Sequence, residues 1–223
     1  MSKVKARVKV ALIFVATVLV MLFAVSVYFF RMTALIDRDS TKLCSEKFLR
    51  DARIDVREIQ DKLETKCTKV RLQSRHGHFI PVKCALADGN YDNKTVILVH
   101  GHEMNMVSMY PIANTLLDNG INVVLYDQRA HGDNTAKNVT FGYYEKDDLE
   151  DVVNYISGMM RDKKPIGLLG QSMGAATCGF YVGQEHANKN IKFAILDCPY
   201  NNMKSVIKVA AKRRAYNNVI TDI

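Results

Sequence analysis

The sequence predicts a three-layer α/β fold with a mostly parallel sheet, set behind an N-terminal transmembrane helix. Three observations predict it: a 21-residue run without charge at residues 10–30, four short and nearly continuous apolar runs after residue 94, and helix-patterned stretches between those runs. Runs that are apolar at almost every position fit strands buried on both faces, and parallel neighbours need crossover helices between them. The size agrees: 223 residues, 48% hydrophobic and 24% charged, make one core with additional segments.

Residues 1–9 are a basic tail carrying Lys3, Lys5, Arg7 and Lys9 and no acid. Residues 10–30, VALIFVATVLVMLFAVSVYFF, are long enough to cross a bilayer as a helix. A cleaved signal peptide is the alternative, because AVS at 24–26 resembles a small-residue cleavage site. A signal's apolar region spans about 7 to 15 residues, however, and this one continues through Tyr28, Phe29 and Phe30. The reading is an uncleaved, single-pass anchor in the cell membrane. The basic tail puts the N-terminus in the cytoplasm and the domain outside the cell.

Residues 31–66 are charged and lack Gly and Pro, so they read as a stalk, helical or extended, with no visible chemistry. The core spans 67–201. It opens with KVRLQS (69–74) and HFIPVKCAL (78–86), an antiparallel hairpin that Pro81 places near a sheet edge, with His76 and His78 as hairpin residues. TVILVHG (95–101), INVVLYD (121–127), PIGLLGQ (165–171) and IKFAILDC (191–198) follow as buried parallel strands. Between them, SMYPIANTLLDNG stops at Asn119-Gly120, and YEKDDLEDVVNYISGMMRDKK carries acids in its first turns and bases in its last. Residues 202–223, with Met203, Ile207 and Ala210 at helical spacing, read as the start of a cap or linker helix; a basic amphipathic helix touching anionic lipid is the alternative.

The formal charge is +8, but four of the basic residues lie in the N-terminal tail, and no basic motif is interleaved with aromatics. Nucleic-acid binding is therefore excluded. The five cysteines, Cys44, Cys67, Cys84, Cys178 and Cys198, include no C-x-x-C pair, so no metal site or redox motif is implied. Cys178 and Cys198 sit in apolar runs and read as buried small hydrophobes; Cys44, Cys67 and Cys84 leave room for one disulfide in an exported domain.

Ligands gather at the carboxyl ends of parallel strands, and HGHEMN (100–105), DQRAHGDN (127–134) and GQSMGA (170–175) fall there. In G-x-S-x-G, a sharp strand-to-helix turn holds Ser172 in a strained conformation where side chains at Gly170 and Gly174 would clash. The turn points the backbone N–H of Met173 and the helix N-terminus at any oxyanion formed on an attacked carbonyl.

On these motifs the chain resembles a serine hydrolase of the α/β-hydrolase superfamily, and is similar to its bacterial membrane-anchored members. The resemblance implies that Ser172 is the catalytic nucleophile, that Met173 and His102 supply the oxyanion N–H groups, and that Asp127 and Arg129 of the D-x-R-x-x-G stretch are structural. It implies hydrolysis of an ester, thioester or amide carbonyl of a small-molecule, lipid or peptide substrate through an acyl-enzyme, with no cofactor and no metal. Peptidase or acyltransferase activity on the same fold is an alternative within catalysis, and a non-catalytic binding module is the alternative outside it. The departures are specific. After Ser172 the only histidine is His186, 14 residues along, and Asp197 is an acid with no histidine to orient. Six strands stand where the family has eight, leaving 191–198 as an apolar edge. The chain as written is therefore expected to be a truncated hydrolase that lacks an acid–histidine pair and does not turn over.

Overall fold

The computed structural model describes residues 3–206 and 208, apart from 88, 90, 92, 161–163, 188 and 190. Helix α1 (Lys3–Ala34) contains an apolar stretch, Arg7–Arg31, long enough to cross a bilayer and not buried against the rest of the chain. By length and composition it is a membrane span or a signal sequence.

The segment read as a stalk folds back onto the domain. Asp37 and Asp55 cap the helices α2 (Arg38–Asp51) and α3 (Val56–Lys66), accepting the N–H groups of Asp39 and Arg57. Helix α2 buries Thr41, Ser45 and Leu49, one residue per turn, and α3 buries Leu63 in the core. A buried stripe made largely of hydroxyls carries little hydropathy, which is why the charged composition suggested a free-standing segment.

Six strands form one sheet in the order β1-β2-β4-β3-β5-β6: β1 (Cys67–Gln73), β2 (Phe79–Ala85), β3 (Thr95–Val99), β4 (Asn122–Tyr126), β5 (Ile166–Gln171) and β6 (Ile191–Asp197). The β1–β2 and β2–β4 pairs are antiparallel, and β4–β3, β3–β5 and β5–β6 are parallel. Every residue of β3 and β4 is buried, as their unbroken apolar runs require. Pro81 lies in β2 just beyond the Val82–Tyr126 pair with β4; its carbonyl accepts the Asp127 N–H at 3.2 Å, and the Asp127 carbonyl, which a proline cannot serve, accepts the Asn134 amide at 2.9 Å instead.

Alternate residues feed two cores. Ile97, Val99, Val124 and Leu168 pack against α5 (Glu145–Met159) and α6 (Met173–Val182) on one face. Val96, Leu98, Val123 and Leu125 pack against α3, the 3₁₀ turn Met106–Met109 and α4 (Tyr110–Asp118) on the other. Three layers result. Among the described residues β6 is one of the two edge strands, opposite β1, with Phe193, Ile195 and Leu196 exposed.

Helix α4 stops at Asn119-Gly120, where Gly120 has φ +71°. Glu145, Asp147 and Asp148 occupy the first turn of α5, but the basic residues expected in its last turn fall largely at 161–163, outside the described residues. Of the expected cap helix, 203–206 are helical, and most of 207–223 lies outside the described residues. All five cysteines are free. Cys178 is buried as expected, whereas Cys198 is exposed, because it falls one residue past the end of β6.

Candidate active site

The parallel strands β3, β4 and β5 point the same way, so the loops that follow them meet at one edge of the sheet. The turn from β5 to α6 holds Ser172 at φ +52°, ψ −113°, a strained conformation for a residue with a side chain. Serine is a favoured helix cap, yet the Ser172 side chain makes no capping bond, and the residue is exposed. Its N–H is held by the Asp197 carbonyl at 2.8 Å. A side chain at Gly170 would collide with the backbone of Gly174, and one at Gly174 with the carbonyls of Val99 and His100. Buried Met173 begins the helix beside the serine.

The loop after β3 lies against this turn, since a Cβ built at Gly101 would stand 3.5 Å from the Ser172 Cβ. A chain of bonds fixes it there. His100 donates from Nδ1 to the Gly101 carbonyl at 2.7 Å and accepts the Gln128 N–H at Nε2, 2.9 Å. The Gln128 amide donates to the His100 carbonyl at 2.5 Å and accepts the Thr177 hydroxyl from α6 at 3.0 Å. His131 donates from Nδ1 to the Arg129 carbonyl at 2.6 Å and accepts the Glu103 N–H at 3.1 Å. The carbonyl partners put the proton on Nδ1 in both rings. Burial pushes His100 down to about 4 and His131 down to about 2. Both rings are neutral and fully committed, so neither is placed to take a proton from a serine.

His102 differs. Its ring is half-buried, 5.6 Å from the ring of His131 and 5.2 Å from that of Phe141, and its Nδ1 is buried without a partner. Desolvation holds its pKa below the ordinary histidine value. Of the histidines at this edge, it is the one with a ring nitrogen not committed to the scaffold.

Asp127 and Arg129 are tied into the scaffold. The Asp127 carboxylate accepts the N–H groups of Met106 and Asp133, both at 2.8 Å, and fills the space where Gly132, at φ +53°, has no side chain. Arg129 lies 3.3 Å from Asp148 with its guanidinium over the Tyr144 ring, and His78 reaches the same carboxylate at 3.1 Å. His76 pairs with Asp147 at 2.9 Å.

His186 does not ride on α6, as the sequence suggested. The helix ends at Val182, and His186 sits past that end, 3.6 Å from Glu150. The ten residues of α6, at about 1.5 Å each, still separate it from Ser172. The exposed Asp197 carboxylate meets the Gln171 amide at 3.5 Å and the thiol of Cys198. Among the described residues, no three His, Cys, Asp or Glu side chains converge as metal ligands. An open groove of about 970 Å³ starts at Ser172 and runs along Ala176 and Phe180 of α6 to Leu196 and Tyr200.

Residues 94–218 match the family described as the alpha/beta hydrolase fold. The chain belongs to that family. Over 106 residues it is 40% identical to "Uncharacterized protein YqkD" of Bacillus subtilis (strain 168), covering 48% of this chain and 34% of that protein. Over 143 residues it is 31% identical to "Uncharacterized protein YfhR" of Salmonella typhimurium, covering 59% and 47%. The chain thus spans a third to a half of the length of these curated relatives. Among solved structures, the Pyrococcus furiosus esterase Pf2001 aligns with a TM-score of 0.59 at 25% identity, over 70% of this chain and 61% of that one. The family match and this neighbour agree on the α/β-hydrolase fold.

Sequence reasoning missed four polar residues that hold the loops of this α/β-hydrolase fold. Gln128 and Thr177 link the loop after β3 to α6, and Thr41 and Ser45 of α2 accept the N–H groups of Gly132 and Asn105 at 3.0 and 2.8 Å. No pattern marks them, because each bonds to backbone or amide far away in sequence. Thr177→Val keeps the shape and strands the buried Gln128 oxygen. It is expected to cost about 1–3 kcal/mol, read as a lower urea midpoint with an unchanged slope.

The buried rings also set a pH dependence. Below the ordinary histidine value of about 6.5, the unfolded chain takes up protons that folded His100 and His131 refuse, so stability falls with pH. At pH 5 each ring lowers stability by roughly 2 kcal/mol relative to pH 7.5, and His102 acts in the same direction. Asp127 opposes them. Burial raises its carboxyl to about 6, so the folded state binds that proton first and regains roughly 1–2 kcal/mol at pH 5. The expected result is a net loss of about 2–3 kcal/mol between pH 7.5 and pH 5 in urea titrations; a flat profile contradicts neutral, buried rings.

Proposed function

We propose that this domain carries the nucleophile of a serine hydrolase that attacks an ester, thioester or amide carbonyl through Ser172 and forms an acyl-enzyme. The observation that carries the reading is the exposed, strained Ser172 between two strand-end loops, with its side chain not spent on capping α6. In this reading the backbone N–H groups of Met173 and His102 stabilise the tetrahedral oxyanion, and the N-terminus of α6 adds to them. Helix α1 serves as a single-pass anchor in the cell membrane, with its basic N-terminus in the cytoplasm and the hydrolase outside. Protease added to intact cells then removes the domain, and protection until lysis reverses the orientation.

A second reading, a hydrolase-like binding module, is favoured by one observation: His186, the histidine that follows Ser172, is engaged with Glu150 at the far end of α6. Without a base in reach, a serine alcohol stays protonated and weakly nucleophilic. A fluorophosphonate probe separates the readings when applied to the 223-residue chain and to a version extended past residue 223. An unlabelled short chain and a labelled longer one support the hydrolase, with its acid–histidine pair supplied from outside residues 173–206. No labelling of either supports the binding module. Stoichiometric labelling of the short chain makes His102 the base, and His102→Ala then removes it.

A further inference from the structure

We propose that the site draws its substrate from the bilayer, and that this substrate is an amphiphile whose acyl chain lies in the groove beside α6 with its ester at Ser172. The inference rests on the reading above, with α1 in the membrane and Ser172 as nucleophile, and adds the substrate class.

The end of the apolar helix is built into the site. The apolar stretch ends at Arg31, and three residues later Ala34 is buried, its carbonyl accepting the Val139 N–H at 2.9 Å. Ile36 packs into a small apolar cluster with Ala130, Val139 and Met173, joined by Phe141 and Tyr200. Met173 is the residue after the nucleophile. Two residues of α2 then tie the returning chain down, Thr41 to the Gly132 N–H and Ser45 to the Asn105 N–H. Three hydrogen bonds and a shared apolar cluster replace a flexible tether, so the domain cannot swing away from the end of α1 without breaking them.

Depth follows from helix geometry. At about 1.5 Å per residue, Ala34 lies roughly 5 Å beyond Arg31, and the headgroup layer extends about 5–7 Å past the hydrocarbon core on each side. The cluster around Met173 therefore sits at headgroup depth, where the ester carbonyls of acyl lipids also lie. Tyr143, exposed at 66% on the loop that bonds Ala34, is an amphipathic ring of the kind enriched at this depth. The groove continues from this level. Tyr200 belongs both to the Ile36 cluster and to the groove wall, where its ring stands 6.4 Å from that of Phe180. Along α6 and β6 the wall is Ala175, Ala176, Gly179 and Leu196, which offer an acyl chain apolar contact, while Asn201 and Ser205 add polar side chains in the segment after Tyr200. A volume of about 970 Å³ is at the upper end of ligand sites.

The test places the full chain in phosphatidylcholine vesicles containing a phospholipid with a diazirine in its acyl chain, irradiates them, and maps the adducts by mass spectrometry. Expected are adducts within residues 10–30 and, at least tenfold above the peptide carrying exposed Phe79 on the far side of the sheet, adducts at Phe180 and Leu196. Labelling of α1 with groove adducts no higher than at Phe79 overturns the proposal and leaves the anchor standing. Labelling of neither, with the chain released by alkaline carbonate, overturns the anchor and the proposal together. Ser172→Ala should leave the adduct pattern unchanged, because the experiment reads proximity, so a wrong nucleophile assignment shows up in fluorophosphonate labelling alone.

Discussion

Gly174→Val is expected to abolish the cooperative unfolding transition of this chain. A Cβ at 174 would fall on the carbonyl oxygens of Val99 and His100, which are backbone atoms at the end of β3. They cannot retreat: β3 is hydrogen-bonded on both sides, to β4 and β5, and His100 is held by Gln128. Overpacking of a core commonly costs about 1–3 kcal/mol and more where backbone must move, against a total stability of about 5–15 kcal/mol. Gly158 supplies the matched control. It lies in α5 with open space around its Cβ position, so Gly158→Ala is expected to stabilise by about 0.5–1 kcal/mol. Circular dichroism against urea checks both, and a Gly174→Val protein melting within about 1 kcal/mol of the parent would remove the close approach of α6 to β3.

Ser172→Gly is expected to raise stability and end reactivity in the same protein. A non-glycine residue in this backbone region costs roughly 1–3 kcal/mol, and glycine relieves most of it, so a gain of about 1 kcal/mol is expected. In a version of the chain that turns over, loss of the nucleophile should lower kcat by up to about 10⁶, with a residue of about 10³ to 10⁴ over water left by the oxyanion site and binding. Ser172→Ala should match it in activity and not in stability, since alanine keeps the strain. Hydrolysis of a short-chain nitrophenyl ester and a urea titration read the two effects. Full activity in either variant would end the assignment of Ser172, and equal stability of the two would end the argument from strain.

The strands were legible because each is an uninterrupted apolar run. TVILV and NVVLY are buried at every position, and that is visible one residue at a time. The hairpin 67–85 and the glycines flanking Ser172 were legible for the same local reason. Helix α2 was not. Its buried face is Thr41, Ser45 and Leu49, and two of those three side chains are there to bond distant N–H groups rather than to leave water. The histidines were ambiguous until folded: His100, His102 and His131 look alike as letters, yet two are locked by carbonyls and backbone N–H groups and one keeps a nitrogen without a partner.

The sequence by itself determined the α/β sheet, its strand boundaries to within two residues, the apolar helix and the turn at Ser172, because burial and tight turns impose their demands on neighbouring residues. Only the tertiary structure decided that the end of α1 abuts that turn and that Thr41, Ser45, Gln128 and Thr177 hold the loops around it. The physical reason is range: Thr41 and Ser45 bond to groups 91 and 60 positions away, and a single polar contact across that distance leaves no periodicity in the chain that makes it.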